Sequence, residues 1–169
     1  MDMVSVCLKT QQPFGVCQIR KGREVGMAAE PERVGTLAFI DHCDISTPGI
    51  LTINAHGGAR FEIIQTYNQK NNLVVADIHV WPTEPPLAVP DTHQDMVSFL
   101  QQVIAQLDVK LIPPPHHFND ASWVGMRLAH ILPLAPDIKQ ALLEQRDPLA
   151  RLRLIKAALV ELTAKKPDG

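Results

Sequence analysis

A chain of 169 residues with 46% hydrophobic and 20% charged residues has an ordinary globular composition. This excludes intrinsic disorder and allows one domain, or two small ones, with a core that needs no disulfide or metal. Against 18 Asp and Glu, 16 Lys and Arg leave a formal charge of −2, without the basic excess of a dedicated nucleic-acid binder.

Met1 to Thr10 reads as a short helix with Met3, Val4, Cys7 and Leu8 on one face. Phe14 to Ile19 reads as a strand, Lys21-Gly22-Arg23 as a polar turn, and Val34 to Ile40 as a second strand. Pro48-Gly49 signals a turn. Leu51, Ile53 and Ala55 then alternate with polar residues, and His56-Gly57-Gly58-Ala59 is expected to turn the chain into a strand from Arg60 to Tyr67. Asn71-Asn72 precedes a last strand, Leu73 to Trp81, with Val74, Ala76, Ile78 and Val80 on one face. Short strands separated by turn signals predict an antiparallel barrel or sandwich.

Four prolines between Trp81 and Pro90 forbid helix and predict a linker at 82–90. The period then changes to 3.6. Asp91 or Thr92 caps a helix carrying Met96, Leu100, Val103, Leu107 and Leu111, which Pro113-Pro114-Pro115 ends. Asn119 or Asp120 caps the next, closed by Pro133; a short helix spans Ile138 to Glu144. Asp147-Pro148 starts a last helix with a stripe of Leu149, Leu152, Ile155, Leu159 and Leu162, and Ala164 to Gly169 is expected to fray. The organisation is α+β: a β domain at 1–81, the linker, and a helical bundle at 91–165.

Cys7, Cys17 and Cys43 are odd in number and lack CxxC spacing, which predicts small buried hydrophobes in a reducing, cytoplasmic setting. No apolar run approaches the ~18–20 residues that span a bilayer, and Met1-Asp2-Met3 is acidic where a signal peptide is basic. No membrane association is expected.

Several groups carry potential chemistry. Asp41-His42-Cys43-Asp44 offers metal-ligand types, but neighbours on an extended chain point to opposite faces; the expectation is a strand end entering a polar loop. His116-His117 with His93 lacks ligand spacing and reads as a solvated loop, while His130 reads as a helix-surface or packed histidine. A metal-assisted hydrolase using Asp41, His42, Cys43 or His116 is the alternative enzymatic reading. Lys21-Gly22-Arg23 and Lys165-Lys166 are small basic clusters. With one Tyr and two Trp, the chain lacks the basic-aromatic interleaving of an RNA binder. Trp123 and Arg127, four residues apart, share a helix face where the guanidinium can stack on the ring; equally, Trp123 can simply anchor the bundle. Arg60 can pair with Glu24 or Glu62, or lie in a groove. The β-half glycines, Gly15, Gly22, Gly26, Gly35, Gly57 and Gly58, read as turns and bulges.

Four strings follow one another in the first half: Pro13-Phe14-Gly15-Val16, Gly22-x-Glu24-Val25-Gly26, Val34-Gly35-Thr36-x-Ala38-x-Ile40, and Gly57-x-x-Arg60-Phe61-x-Ile63. In this order and spacing they resemble the amino-terminal substrate-binding domain of the Lon ATP-dependent proteases. Asp120-Ala121-Ser122-Trp123-x-x-x-Arg127-Leu128-Ala129, Leu132-Pro133-Leu134, Lys139-Gln140-x-Leu142-Leu143 and Asp147-Pro148-x-x-Arg151-Leu152 resemble the helical extension of stand-alone bacterial members.

The resemblance implies a PUA-like antiparallel β fold followed by a helical bundle. It also implies a non-catalytic domain that binds unfolded or extended polypeptides, with a protease as a further candidate partner. The polypeptide-binding candidates are Arg60, Trp81, Trp123 and Arg127. No Lys follows a Gly, which rules out a phosphate loop, and no G-x-S-x-G surrounds Ser5, Ser46, Ser98 or Ser122. No cofactor is expected. Family members open with two strands ahead of the first helix, whereas this chain begins near Asp2-Met3-Val4. The expectation is a truncated start that leaves a sheet edge open and inclined to form homodimers.

Overall fold

In the computed structural model, residues 2–23, 29–47, 50–69, 73–107 and 111–164 are described. The chain divides into two units, Met1–Thr83 and Glu84–Gly169. The expected turn at Pro48-Gly49, the Asn71-Asn72 signal, the fraying tail after Ala164, Lys165-Lys166 and the pairing of Arg60 with Glu24 lie outside the described residues.

The first unit opens with helix α1 (Asp2–Thr10), whose Cys7 is buried. Gln11 follows with φ of 55°, the left-handed residue that commonly closes a helix. The strands are β1 (Phe14–Val16), β2 (Ile19–Lys21), β3 (Glu30–Pro31), β4 (Val34–Thr47), β5 (Ile50–Asn68) and β6 (Val74–Val80). Among the described residues the main sheet runs β1-β4-β5-β6, antiparallel throughout, and β2 pairs with β3 apart from it. The strand expected over Phe14 to Ile19 is therefore two. Its residues serve different sheets: Gly15 opposes Leu37 in β4, while Ile19 opposes Pro31.

The sheet is built around Phe61, which is 2% exposed. Phe61 opposes Gly35 in β4. A β-carbon on Gly35 would lie 2.7 Å from the ring, and one on Gly15 3.0 Å. Both glycines therefore serve close packing beneath an aromatic ring, rather than a turn. Gly22, with φ of 105°, is the turn glycine.

His56-Gly57-Gly58-Ala59 does not reverse the chain. It lies within β5, because β4 is long enough to pair both flanks: Cys43 opposes Ile53 and Thr36 opposes Arg60. Register shifts between Thr36 and Ala38 absorb the extra residue as a bulge. A β-carbon on Gly58 would lie 2.6 Å from the Phe39 ring, which also stacks on His56 at 5.4 Å. The glycines make room for an aromatic lying across the strand. Asp41-His42-Cys43-Asp44 likewise lies inside β4 rather than at its end. From Phe39 to His56, β4 and β5 pair only with each other, forming a two-stranded ribbon beyond the reach of β1 and β6 among the described residues.

In the second unit, a 3-10 turn at Asp91–His93 leads into α2 (Gln94–Gln106). The expected side-chain cap from Asp91 or Thr92 is absent at this start. The helix also stops short of Leu111, as Leu107 is extended and Leu111 is exposed. The other helices are α3 (Ala121–Ile131), α4 (Pro136–Glu144) and α5 (Pro148–Ala164). Leu100, Val124, Leu128, Leu142, Leu152 and Ile155 form the core of this unit.

The proline-rich stretch from Glu84 onward is tied to the helices. Val89 is buried in the helical core, and its N–H donates to Asn119 O at 3.2 Å. Ala121 N–H donates to Leu87 O at 2.7 Å. Asp120 caps α3 as its carboxylate accepts from Ser122 N–H at 3.0 Å, and the same oxygen accepts from Leu87 N–H at 3.2 Å. Losing both bonds in Asp120→Ala is expected to cost about 1–2 kcal/mol, read as a lower midpoint in urea at unchanged slope.

An ion pair between Arg151 and Glu84 is buried in this unit. Arg151 is 0% exposed and forks onto Glu84 through Nη1–Oε2 at 3.0 Å and Nη2–Oε1 at 2.5 Å. Its Nε donates to Leu142 O at 3.1 Å and its Nη2 to Gln145 O, satisfying carbonyls at the end of α4. Ser122 Oγ donates to Glu84.

Candidate functional site

Three features present recognition chemistry. The first is the open edge of the sheet. Among the described residues β6 has a neighbour on one side only. Trp81 N–H donates to Arg60 O. Strand alternation then turns the N–H groups of Ala76, Ile78 and Val80 away from β5 toward the open edge. Ile78 and Val80 are 38% and 45% exposed. The edge thus offers backbone donors and acceptors flanked by apolar side chains. Behind it, Tyr67 donates to Asp77 at 2.6 Å, and that carboxylate pushes the phenol above its ordinary pKa.

The second is the Arg60–Trp81 pair. Arg60 lies 5.0 Å over the Trp81 ring, yet Trp81 is 7% exposed and Arg60 half-buried. Glu62, two residues on in β5, meets Arg33 at 3.0 Å.

The third is an aromatic patch at the start of α3. Asp120 fixes the helix start, and Trp123 follows one residue after Ser122. Phe118 at 5.3 Å and His117 at 6.2 Å pack edge-on to Trp123, and His116 lies tilted against it at 5.8 Å. Arg127 lies over the same ring at 5.6 Å, as the four-residue spacing predicts. His116 Nε2 is 3.0 Å from Ile112 O, so that nitrogen carries the proton and fixes the ring. Trp123 and Arg127 are half-buried, and His117 is exposed. Nothing in the sequence joins His116, His117 and Phe118 to Trp123, since the loop between Pro115 and Asp120 has no periodicity to read.

Among the described residues, no group of three or more His, Cys, Asp or Glu converges on a metal position. Asp41 pairs with His56 at 2.7 Å, His42 opposes Asn54 across the ribbon, and Cys43 opposes Ile53. His93 is buried beside Thr92 Oγ1 at 3.0 Å, and His116 belongs to the Trp123 patch. His130 is exposed, with its carbonyl accepting from Lys139. The cysteines are free; burial pushes the Cys17 thiol up. No helix among the described residues is long and apolar enough to cross a membrane.

The family model for the ATP-dependent protease La (LON) substrate-binding domain matches residues 1–161. The chain belongs to the Lon substrate-binding domain family. A Lon N-terminal domain protein from Xanthomonas campestris is similar in structure, with a TM-score of 0.73, 27% identity and coverage of 98% of this chain and 83% of that one. The N-terminal domain of a Mycobacterium avium complex Lon protease shares the fold, with a TM-score of 0.53, 15% identity and coverage of 89% and 77%. No match is found among curated proteins.

As a Lon substrate-binding domain the chain belongs to a non-catalytic family. The strings that carry the resemblance converge in the fold: Gly15, Gly35 and Phe61 come from three of them and meet in one stack. Trp123, Arg127 and Arg151 come from the helical strings, the first two on the patch and the third in the core.

Proposed function

We propose that this chain is a cytoplasmic, PUA-like recognition domain that binds unfolded or extended polypeptide segments without hydrolysing them, delivering them to a protease partner. The observation that carries this reading is the open β6 edge in a Lon substrate-binding domain. An extended segment pairs with such an edge through its main chain, whatever its sequence, and the exposed Ile78 and Val80 favour apolar side chains. This suits a domain that must accept many substrates. The open edge also gives the homodimer a physical route, in competition with substrate. Of the four candidate residues, Arg60, Trp123 and Arg127 are half-buried and keep accessible surface, while Trp81 is buried, and Arg60 and Trp81 hold the end of β6 against β5.

The test is titration of a labelled, permanently unfolded polypeptide at physiological salt, with its folded form as control. Selective micromolar binding of the unfolded form is expected. No binding by folded chain at high micromolar concentration overturns the reading. Ile78→Pro deletes one outward donor while leaving the β5 ladder intact. The lost hydrogen bond, about 1–1.5 kcal/mol, is expected to weaken binding about tenfold, and Ile78→Ala less.

A further inference from the structure

We propose that the Trp123–Arg127 patch is a docking site for an extended polypeptide segment in which an aromatic or aliphatic side chain adjoins an Asp or Glu. This deepens the polypeptide-recognition reading and rests on it.

Among the described residues no carboxylate lies within ion-pairing distance of Arg127, although Arg20, Arg33, Arg151, Arg153 and Lys156 all have one. Its guanidinium lies over Trp123, so its partner must come to its edge. A planar fork with a free edge fits a carboxylate through two parallel bonds. His117, exposed and 6.2 Å from the same ring, adds a polar neighbour. The aromatic surfaces of Trp123 and Phe118 supply the apolar half of the contact.

This pairing of chemistries selects the occupant. A purely apolar segment would cover the guanidinium and strip its water without replacing it, which costs more than the aromatic contact returns. A cation would be repelled by Arg127. A nucleic acid offers phosphate and a stacking base, but tracking its backbone needs several cations in a row, and the chain carries a net charge of −2. A side chain that ends in a carboxylate, next to one that stacks, satisfies both halves.

The patch is also built before a partner arrives. Asp120 fixes the first turn of α3, Leu87 O accepts from Ala121 N–H and Asn119 O from Val89 N–H beside it, and Ser122 is tied to Glu84. His116 is oriented by Ile112 O. A preorganised surface avoids most of the ordering cost of binding.

The test uses the full chain and short labelled peptides with both ends blocked. One carries an aromatic-acidic pair, and its counterpart carries the matching amide, Asn or Gln. The acidic peptide is expected to bind at least tenfold tighter. Arg127→Met keeps the aliphatic stem over Trp123 but removes the fork; it should erase that difference while circular dichroism and the melting temperature stay near wild type. Arg127→Lys should recover part of it. Ile78→Pro should leave the preference for the acidic peptide intact, because that preference belongs to a different surface. Equal affinity for both peptides, full preference in Arg127→Met, or tighter binding of a single-stranded RNA oligonucleotide than of the acidic peptide overturns the proposal. If unfolded polypeptide still binds in any of these cases, only the docking site fails. If neither peptide nor unfolded polypeptide binds, the wider reading fails with it.

Discussion

Arg151→Ala is expected to lower the melting temperature of the helical unit by roughly 15–30 °C. Three losses coincide at this residue. The Glu84 carboxylate, 10% exposed, keeps its charge and loses its fork. Leu142 O and Gln145 O, at the end of α4, lose their donor. A cavity opens beside Gly125, whose missing side chain lets the Arg151 stem lie within 3.2 Å of where a β-carbon would be. Removing one member of a buried pair typically costs about 3–5 kcal/mol. That is a large share of the ~5–15 kcal/mol that holds a domain together, and a domain of this size loses about 4–8 °C per kcal/mol. Thermal denaturation followed by far-ultraviolet circular dichroism measures it. Pairing Arg151→Met with Glu84→Leu separates the causes. The double variant should recover most of the stability if the unpaired charge dominates, and little if the α4 carbonyls do.

Gly35→Ala is the second large effect, and it comes with a built-in control. The new methyl would lie 2.6 Å from Val16 O and 2.7 Å from Phe61 Cζ, and against Cys17 Sγ. The ring and the thiol can yield; the β1 carbonyl cannot move without breaking its pairing with β4. Overpacking of this kind costs about 1–3 kcal/mol, and backbone involvement places the expectation at the upper end. Gly57→Ala, the same change in the partner strand, meets only Thr36 Cγ2 at 3.6 Å, an ordinary contact. It should be neutral or stabilising by up to about 1 kcal/mol, through a less flexible unfolded chain. The urea midpoint should therefore fall for Gly35→Ala and hold or rise for Gly57→Ala. A similar loss in both would mean that backbone freedom, rather than space under Phe61, fixes glycine at position 35.

The same glycines show where the sequence was readable. Period-two alternation on both sides of His56 correctly marked extended chain, and Asp120 and Asp147-Pro148 marked helix starts. These signals are local, and local chemistry decides them. Gly57 and Gly58 read as a turn because a glycine pair in a hairpin and a glycine beneath a ring look alike in one dimension. Only the register of β4 tells them apart. Leu111 continued a helical period that the chain had already abandoned at Leu107. Arg151 carried no sign of its burial, since its partner stands 67 residues away. At the candidate site, the Trp123–Arg127 stacking was legible from helical spacing. The contributions of His116, His117 and Phe118 come from an irregular loop and needed the fold.

Between Phe39 and His56, β4 and β5 form a ribbon of two strands. Each of its strands bonds to the other along one edge and faces away from any described strand along the other. It also lies outside the Phe61 stack that holds β1, β4 and β5 together. Opening it therefore sacrifices few tertiary contacts, and its backbone amides can exchange with solvent through fluctuations far cheaper than global unfolding. The protein is thus graded in protection: a slow-exchanging centre under Phe61, and an arm that samples open states while the centre stays folded.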